Sequence, residues 1–160
     1  MTPDLRIQLL GEFSLVYGDN HVTAVTTARE QSLLAYLLLH RAAPQSRQHL
    51  AFTLWPDSSE GQARTNLRNL LHALRQSLPQ PDDYLHVDFA TLQWRPDAPC
   101  SLDVAEFEAA CAAGALQRAV DLYGGDLLPA CYDDWIQPER ERLQGMFTAA
   151  AERLAHQLED

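Results

Sequence analysis

An α+β part followed by an all-α part is the fold class this sequence predicts. Three observations carry it. Apolar and polar residues alternate over residues 5–17, the pattern of half-buried strands. The period then lengthens to that of helices in three segments between residues 27 and 78, and returns to alternation over 84–95. After the Pro-rich stretch "RPDAPCS" (95–101) only helical spacing follows.

In the first strand Leu5, Ile7 and Leu9 alternate with Arg6 and Gln8; in the second, Phe13, Leu15 and Tyr17 alternate with smaller residues. Gly18-Asp19-Asn20 is turn chemistry, so "HVTAV" (21–25) can return as a third strand. Thr27 and Glu30 have the spacing of a capping box and open the first helix. Its Leu33, Leu34, Leu37 and Leu38 share one side, and Pro44 breaks the pattern. Ser46 caps a short second helix that stops before Pro56, with Leu50, Ala51, Leu54 and Trp55 inward.

The third helix opens on another capping-box pair, Ser59 and Gln62. Ala63, Leu67, Leu70, Leu71, Leu74 and Leu78 make a continuous apolar face. The opposite face carries Arg64, Thr65, Arg68, Asn69, His72, Arg75 and Gln76, and no acid lies between Gln62 and Gln80. Leu85 and Val87, then Leu92 and Trp94, read as the two arms of a hairpin. Beyond residue 96, Asp103 is the expected cap of a helix that buries Val104, Phe107 and Cys111. A second helix ends at Gly124-Gly125. A long third one starts with Pro138 in its first turn and carries Leu143, Phe147, Ala150, Leu154 and Leu158 as a stripe. Such paired helices have the style of a TPR-like helical annex. The expected domains are therefore 1–96 and 97–160.

The 160 residues carry a formal net charge of −10, and 46% are hydrophobic. The charge is uneven: residues 1–96 hold eight Arg against nine acids, residues 97–160 four Arg against thirteen. All twelve basic residues are Arg. No apolar run approaches the ~18–20 residues of a membrane span. The N-terminus lacks a basic segment followed by an apolar one, which points to the cytoplasm. Cys100, Cys111 and Cys131 are odd in number, widely spaced and unaccompanied by CxxC, so they read as buried free thiols, not as a disulfide framework or zinc ligands.

Three helices closed by a hairpin form a winged helix-turn-helix, and its third helix is the reader of the DNA major groove. The side chains opposite the leucine face suit that role. Arg pairs with guanine, Asn and Gln pair with adenine, and Thr serves either or packs on a thymine methyl. Arg68, Asn69, Thr65 and His72 are placed to reach base edges, while Arg64 and Arg75 lie nearer the flank and suit phosphates. The acidic annex would be repelled by phosphate, so it must face away from a duplex or meet a partner, and it lowers non-specific affinity.

The segments "LRIQLLGEFSL", "SLLAYLLLH", "LAFTLWPD", "ARTNLRNLLHALRQSL", "LQWRPDAPCSLDVAEFEAA" and "AVDLYGGDLLPACYDDWIQPERERL" together resemble the SARP/AfsR-type transcriptional regulators. The resemblance runs from Leu5 to about Leu158. It implies an OmpR/PhoB-type winged helix followed by the N-terminal part of a bacterial transcriptional activator domain. It implies activation of transcription through sequence-specific binding to double-stranded promoter DNA, by a homodimer or a tandem pair on direct repeats, and recruitment of RNA polymerase. It places the recognition role on Arg64, Thr65, Arg68, Asn69, His72 and Arg75. Two departures stand out. Such proteins usually carry a basic residue at the wing tip, where this chain has Phe89, flanked by His86 and Arg95; an apolar tip can touch a partner or sit beside the sugar backbone. Activator domains of this type also continue through more helices, so the annex reads as truncated, with an apolar face on residues 143–158 open to self-association.

Neither catalysis nor a cofactor or metal site is expected. The chain has no nucleophile elbow, phosphate loop or HExxH. Glu139, Arg140, Glu141 and Arg142 read as a solvated helix start. The alternative is a protein–protein interaction module, a winged helix joined to a helical scaffold that takes peptides or partner helices. Salt separates the two readings, because each phosphate contact releases counterions.

Overall fold

A computed structural model describes residues 4–159. In chain order the elements are β1 (Leu5–Gln8), β2 (Ser14–Tyr17), β3 (Asn20–His21), α1 (Ala28–Leu39), β4 (Gln45–Ser46), α2 (Arg47–Leu54), α3 (Glu60–Ser77), β5 (Leu85–Val87), β6 (Thr91–Trp94), β7 (Cys100–Leu102), α4 (Asp103–Ala113), α5 (Leu116–Leu122) and α6 (Gln137–Glu159). The fold is thus mixed α/β, with six α-helices and small sheets among the described residues. It divides into two compact units, one of residues 20–99 and the other of residues 1–19 together with 100–160.

The division differs from the expected boundary at 96/97, because β1 and β2 group with the C-terminal helices. The reason is a strand that the Pro-rich stretch concealed. β7 pairs parallel with β1, Leu5 opposite Cys100 and Ile7 opposite Leu102, while β2 takes the other edge of β1 antiparallel. Asp103, expected as a simple helix cap, extends the same junction. Its carboxylate accepts from the backbone N–H of Leu9 at 3.0 Å and of Leu10 at 2.8 Å, as well as from Val104 at 2.8 Å. Burial drives the Asp103 pKa up, against the lowering effect of those three N–H donors. Leu9, Leu10, Leu127 and Leu128 are buried beside this junction, and Leu10 bridges to Leu127. Gly11 adopts φ +99°, and a Cβ there would lie 3.3 Å from the Gly124 backbone, so only glycine fits this approach.

In the same unit α4 packs on α5 and α5 on α6. Phe107, Tyr123 and Phe147 form a ring cluster, with centroids 5.5 Å and 4.4 Å apart. Arg140 is not a solvated residue as its neighbours suggested: it is half-buried and donates to the carbonyls of Leu127, Leu128 and Cys131. The α6 stripe is buried at Leu143 and Ala150 and opens to solvent at Leu158, which is 77% exposed.

In residues 20–99, β3 is only two residues long, short of the strand expected over 21–25. Val25 is buried, and the chain already turns toward the α1 cap at Thr27. The Thr27 hydroxyl accepts from Glu30 N–H, and Ser46 and Ser59 do the same for α2 and α3. The reciprocal half of each capping box goes elsewhere. Glu30 is buried near Ser77 Oγ, 3.4 Å away, and the Gln62 amide turns to Asn66. α3 packs on both α1 and α2, burying Ala63, Leu67, Leu71 and Leu74. A three-stranded sheet of order β4-β6-β5 follows the helices, with Leu85 opposite Trp94 and Gln45 opposite Leu92. Trp94 is stacked on Tyr84 in the core beneath it.

Candidate nucleic-acid interface

The 18 residues of α3 divide cleanly by face. Its inner stripe packs as described, which fixes the rotation of the helix and turns Arg64, Thr65, Arg68, Asn69, His72 and Gln76 into solvent. The end charges suit the helix dipole, with Glu60 in the first turn and Arg75 in the last.

The seven polar residues are not equally available. Among the described residues Arg64 makes only a long ion pair with Glu60, at 3.8 Å and largely exposed. Thr65 donates back to the Gly61 carbonyl at 3.1 Å, which leaves its methyl and its lone pairs outward. Arg68, Asn69, His72 and Gln76 are exposed. Arg75 is half-buried and held by Asp82 at 2.8 Å.

The hairpin residues separate in the same way. His86 is exposed on β5, 3.7 Å from the Asp88 carboxylate. Phe89 stands at the tip, 95% exposed. Arg95 is at the base, not the tip: its Nε donates to the Asp82 carbonyl and its N–H to the Tyr84 carbonyl.

The tip is a built turn. Asp88 accepts from the N–H groups of Thr91 at 2.7 Å and Ala90 at 2.8 Å, and from the Thr91 hydroxyl at 3.0 Å. Those backbone donors hold the Asp88 carboxyl below the usual carboxylate range. Arg47, the first residue of α2, ties the turn down: its N–H donates to the Ala90 carbonyl and its Nε to the Asp88 carbonyl, at 2.9 and 2.8 Å.

Around this anchor lies a groove of about 380 Å³, lined by Ser46, Arg47, Gln48, Arg64, Arg68 and Phe89, together with Leu67 and Ala90. The structure therefore brings Arg64, Arg68 and Phe89 to one groove; Arg75 and Arg95 meet instead at Asp82. Arg47 was missing from the expected set. It lies directly after the Ser46 cap, at the start of α2, and lines the same groove as Arg64 and Arg68.

Among the described residues no group of three His, Cys, Asp or Glu side chains is placed to hold a metal ion, and no helix is long and apolar enough to cross a membrane. Three guanidiniums and an aromatic ring in one open groove suit a polyanion with stacked or apolar parts.

The chain matches no protein-family profile and no curated protein sequence. In three dimensions it is similar to Mycobacterium tuberculosis EmbR, a structure described in complex with a low-affinity phosphopeptide. The TM-score is 0.74 at 21% sequence identity, over 93% of this chain and 44% of EmbR. The chain thus spans less than half the length of that protein, and the likeness is one of fold.

Proposed function

We propose that this chain is a sequence-specific DNA-binding transcriptional regulator of the SARP kind. Residues 20–99 form its winged helix-turn-helix, with β5 and β6 as the wing. α3 lies in the major groove of double-stranded promoter DNA; Arg68, Asn69, Thr65, His72 and Gln76 meet base edges, and Arg64 meets phosphate. Arg47 joins the phosphate contacts, and Arg75 takes part only when it leaves Asp82. Helices α4–α6 are a TPR-like annex of activator-domain type, and the protein acts in a pair on direct repeats and recruits RNA polymerase. The likeness to EmbR, at 21% identity, supports the fold on which this reading is built.

One observation carries the reading. The polar residues of α3 are turned outward by a fixed leucine face, and two of its Arg share a groove with the hairpin tip. The test is selection from a random duplex library at two salt concentrations. An enriched motif, repeated at about one helical turn, is the expected result. Weak, salt-sensitive binding without enrichment would refute sequence-specific reading by α3.

A protein-interaction reading has one observation in its favour: Phe52 is 67% exposed beside a second groove between α2 and α3, lined also by Ala51, Pro56 and Ala63. A partner held there binds with little dependence on salt, whereas DNA binding falls steeply as salt rises.

A further inference from the structure

We infer that Phe89 is an apolar wedge that contacts deoxyribose and base edges of duplex DNA in the minor groove and kinks the duplex there. The inference rests on the DNA-binding reading and adds a deformation to it. Three features of the hairpin support it.

First, Phe89 is 95% exposed on a turn that needs no apolar residue for its own stability. The turn is built by Asp88 with Ala90 and Thr91, and the Phe89 side chain takes no part in that network. A large ring left in water forfeits the stabilisation of burial unless something covers it.

Second, the ring is presented by a fixed support. Arg47 holds the turn through two hydrogen bonds, and β6 pairs with both β4 and β5 behind it. A wedge has to push against stacked base pairs, so it needs such backing. A side chain on a mobile loop would yield before the bases did.

Third, the neighbours of the ring define its partner by charge. Arg47, Arg64 and Arg68 line the groove that Phe89 borders, so a partner seated there is strongly anionic. A partner that offers regular phosphates flanking apolar sugar and base surface matches both parts. The Asp88 carboxylate would repel it, but its oxygens face the N–H groups of its own turn. Apolar side chains that enter the minor groove unstack a base step and bend the duplex, most easily at flexible pyrimidine–purine steps.

The experiment uses the full chain and two variants, Phe89→Ala and Phe89→Arg, with Arg68→Ala as a control on the reading beneath. Thermal melts establish that each variant folds. Affinity is measured by fluorescence anisotropy on a random-sequence duplex pool and on whatever duplex that pool enriches. Bending is measured by energy transfer between dyes at the two duplex ends. The wild type is expected to bend its duplex by at least ~20°. Phe89→Ala is expected to bind about tenfold more weakly, the loss typical of one stacked aromatic, and to abolish most of the bend. Phe89→Arg is expected to recover affinity through a phosphate contact, with a steeper salt dependence, and still not to bend. If Phe89→Ala binds and bends DNA as the wild type does, while Arg68→Ala loses specificity, the wedge is refuted and the DNA reading stands. Failure of the wild type to bind either duplex overturns both.

Discussion

Replacing Asp103 by Ala tests the junction that joins β1 to α4. The substitution removes the acceptor of three backbone donors, the N–H groups of Leu9, Leu10 and Val104. Leu9 and Leu10 are fully buried residues, so water reaches their N–H groups poorly. An orphaned buried donor costs about 1–3 kcal/mol, and the lower bound applied to all three gives ~3 kcal/mol. For a chain of this size that lowers the melting midpoint by roughly 6–12 °C. Calorimetry reads the midpoint. Amide exchange at Leu9 and Leu10 reads the junction itself, since these N–H groups should lose protection before others in the sheet.

The pH dependence has a definite sign. The Asp103 pKa is raised in the fold above its ordinary value of 3.8. As pH rises through the window between the two values, the unfolded chain gives up the proton first and the fold keeps it. The stabilisation from this group is thus greatest in acid and declines as pH rises through the folded pKa. Compared with Asp103→Asn, which does not titrate, the wild type should have its largest advantage in acid and a smaller one at neutral pH. An unchanged midpoint in Asp103→Ala with full protection at Leu9 and Leu10 would refute the clasp. An advantage over Asn that grows with pH would refute burial as the dominant cause of the shift.

Arg68→Ala is expected to cost about 1–3 kcal/mol on the selected site and to relax one base position, read by competition with single-base variants of that site. Arg75→Ala should cost less and act on all sequences alike, because Asp82 already holds that guanidinium at 2.8 Å. Asp82→Ala releases Arg75 and should raise affinity for random duplex by up to about fivefold, the ~1 kcal/mol scale of an exposed ion pair. With Arg47 and Arg64 on phosphates, the plot of log affinity against log salt should have a slope of about −2; a slope near zero would place the contacts elsewhere.

Much of residues 20–99 was legible because their signals are local. The spacing of Ala63, Leu67, Leu71 and Leu74 fixes which face of α3 is buried, and Thr27, Ser46 and Ser59 each cap the helix they were expected to start. The failures are long-range. β7 is three residues of Cys, Ser and Leu in a Pro-rich stretch, too short to show a period, and it becomes a strand only because β1 lies alongside it. Nothing near Asp103 in the sequence says that its acceptor capacity is used 94 residues away. At the candidate interface the Arg-bearing face followed from the helical period, but the availability of each Arg did not. Arg75 and Arg95 lose theirs to Asp82, a residue on a turn that carries no periodic signal. Arg47 joins the groove through the sheet, since β4 and β6 bring its helix start beside the hairpin tip.

Charge, counted by structural unit, sharpens the electrostatic case. Residues 20–99 hold seven Arg and seven acids, so this unit is neutral and the whole net charge of −10 belongs to the other. A neutral unit exerts little long-range pull on DNA, so the binding proposed for it would depend on where its charges sit. Three of its acids are already engaged. Glu30 is buried toward Ser77, Asp82 is paired with Arg75, and Asp88 is turned into its own loop. Glu60 meets Arg64 only at 3.8 Å in full solvent, a pair that phosphate can replace at little cost. The groove therefore keeps a local excess of guanidinium inside a unit with none overall. If the unit binds DNA as proposed, such an arrangement would give up non-specific attraction, which scales with the number of phosphates neutralised, and would leave base-edge contacts and duplex deformation to supply a larger share of the affinity.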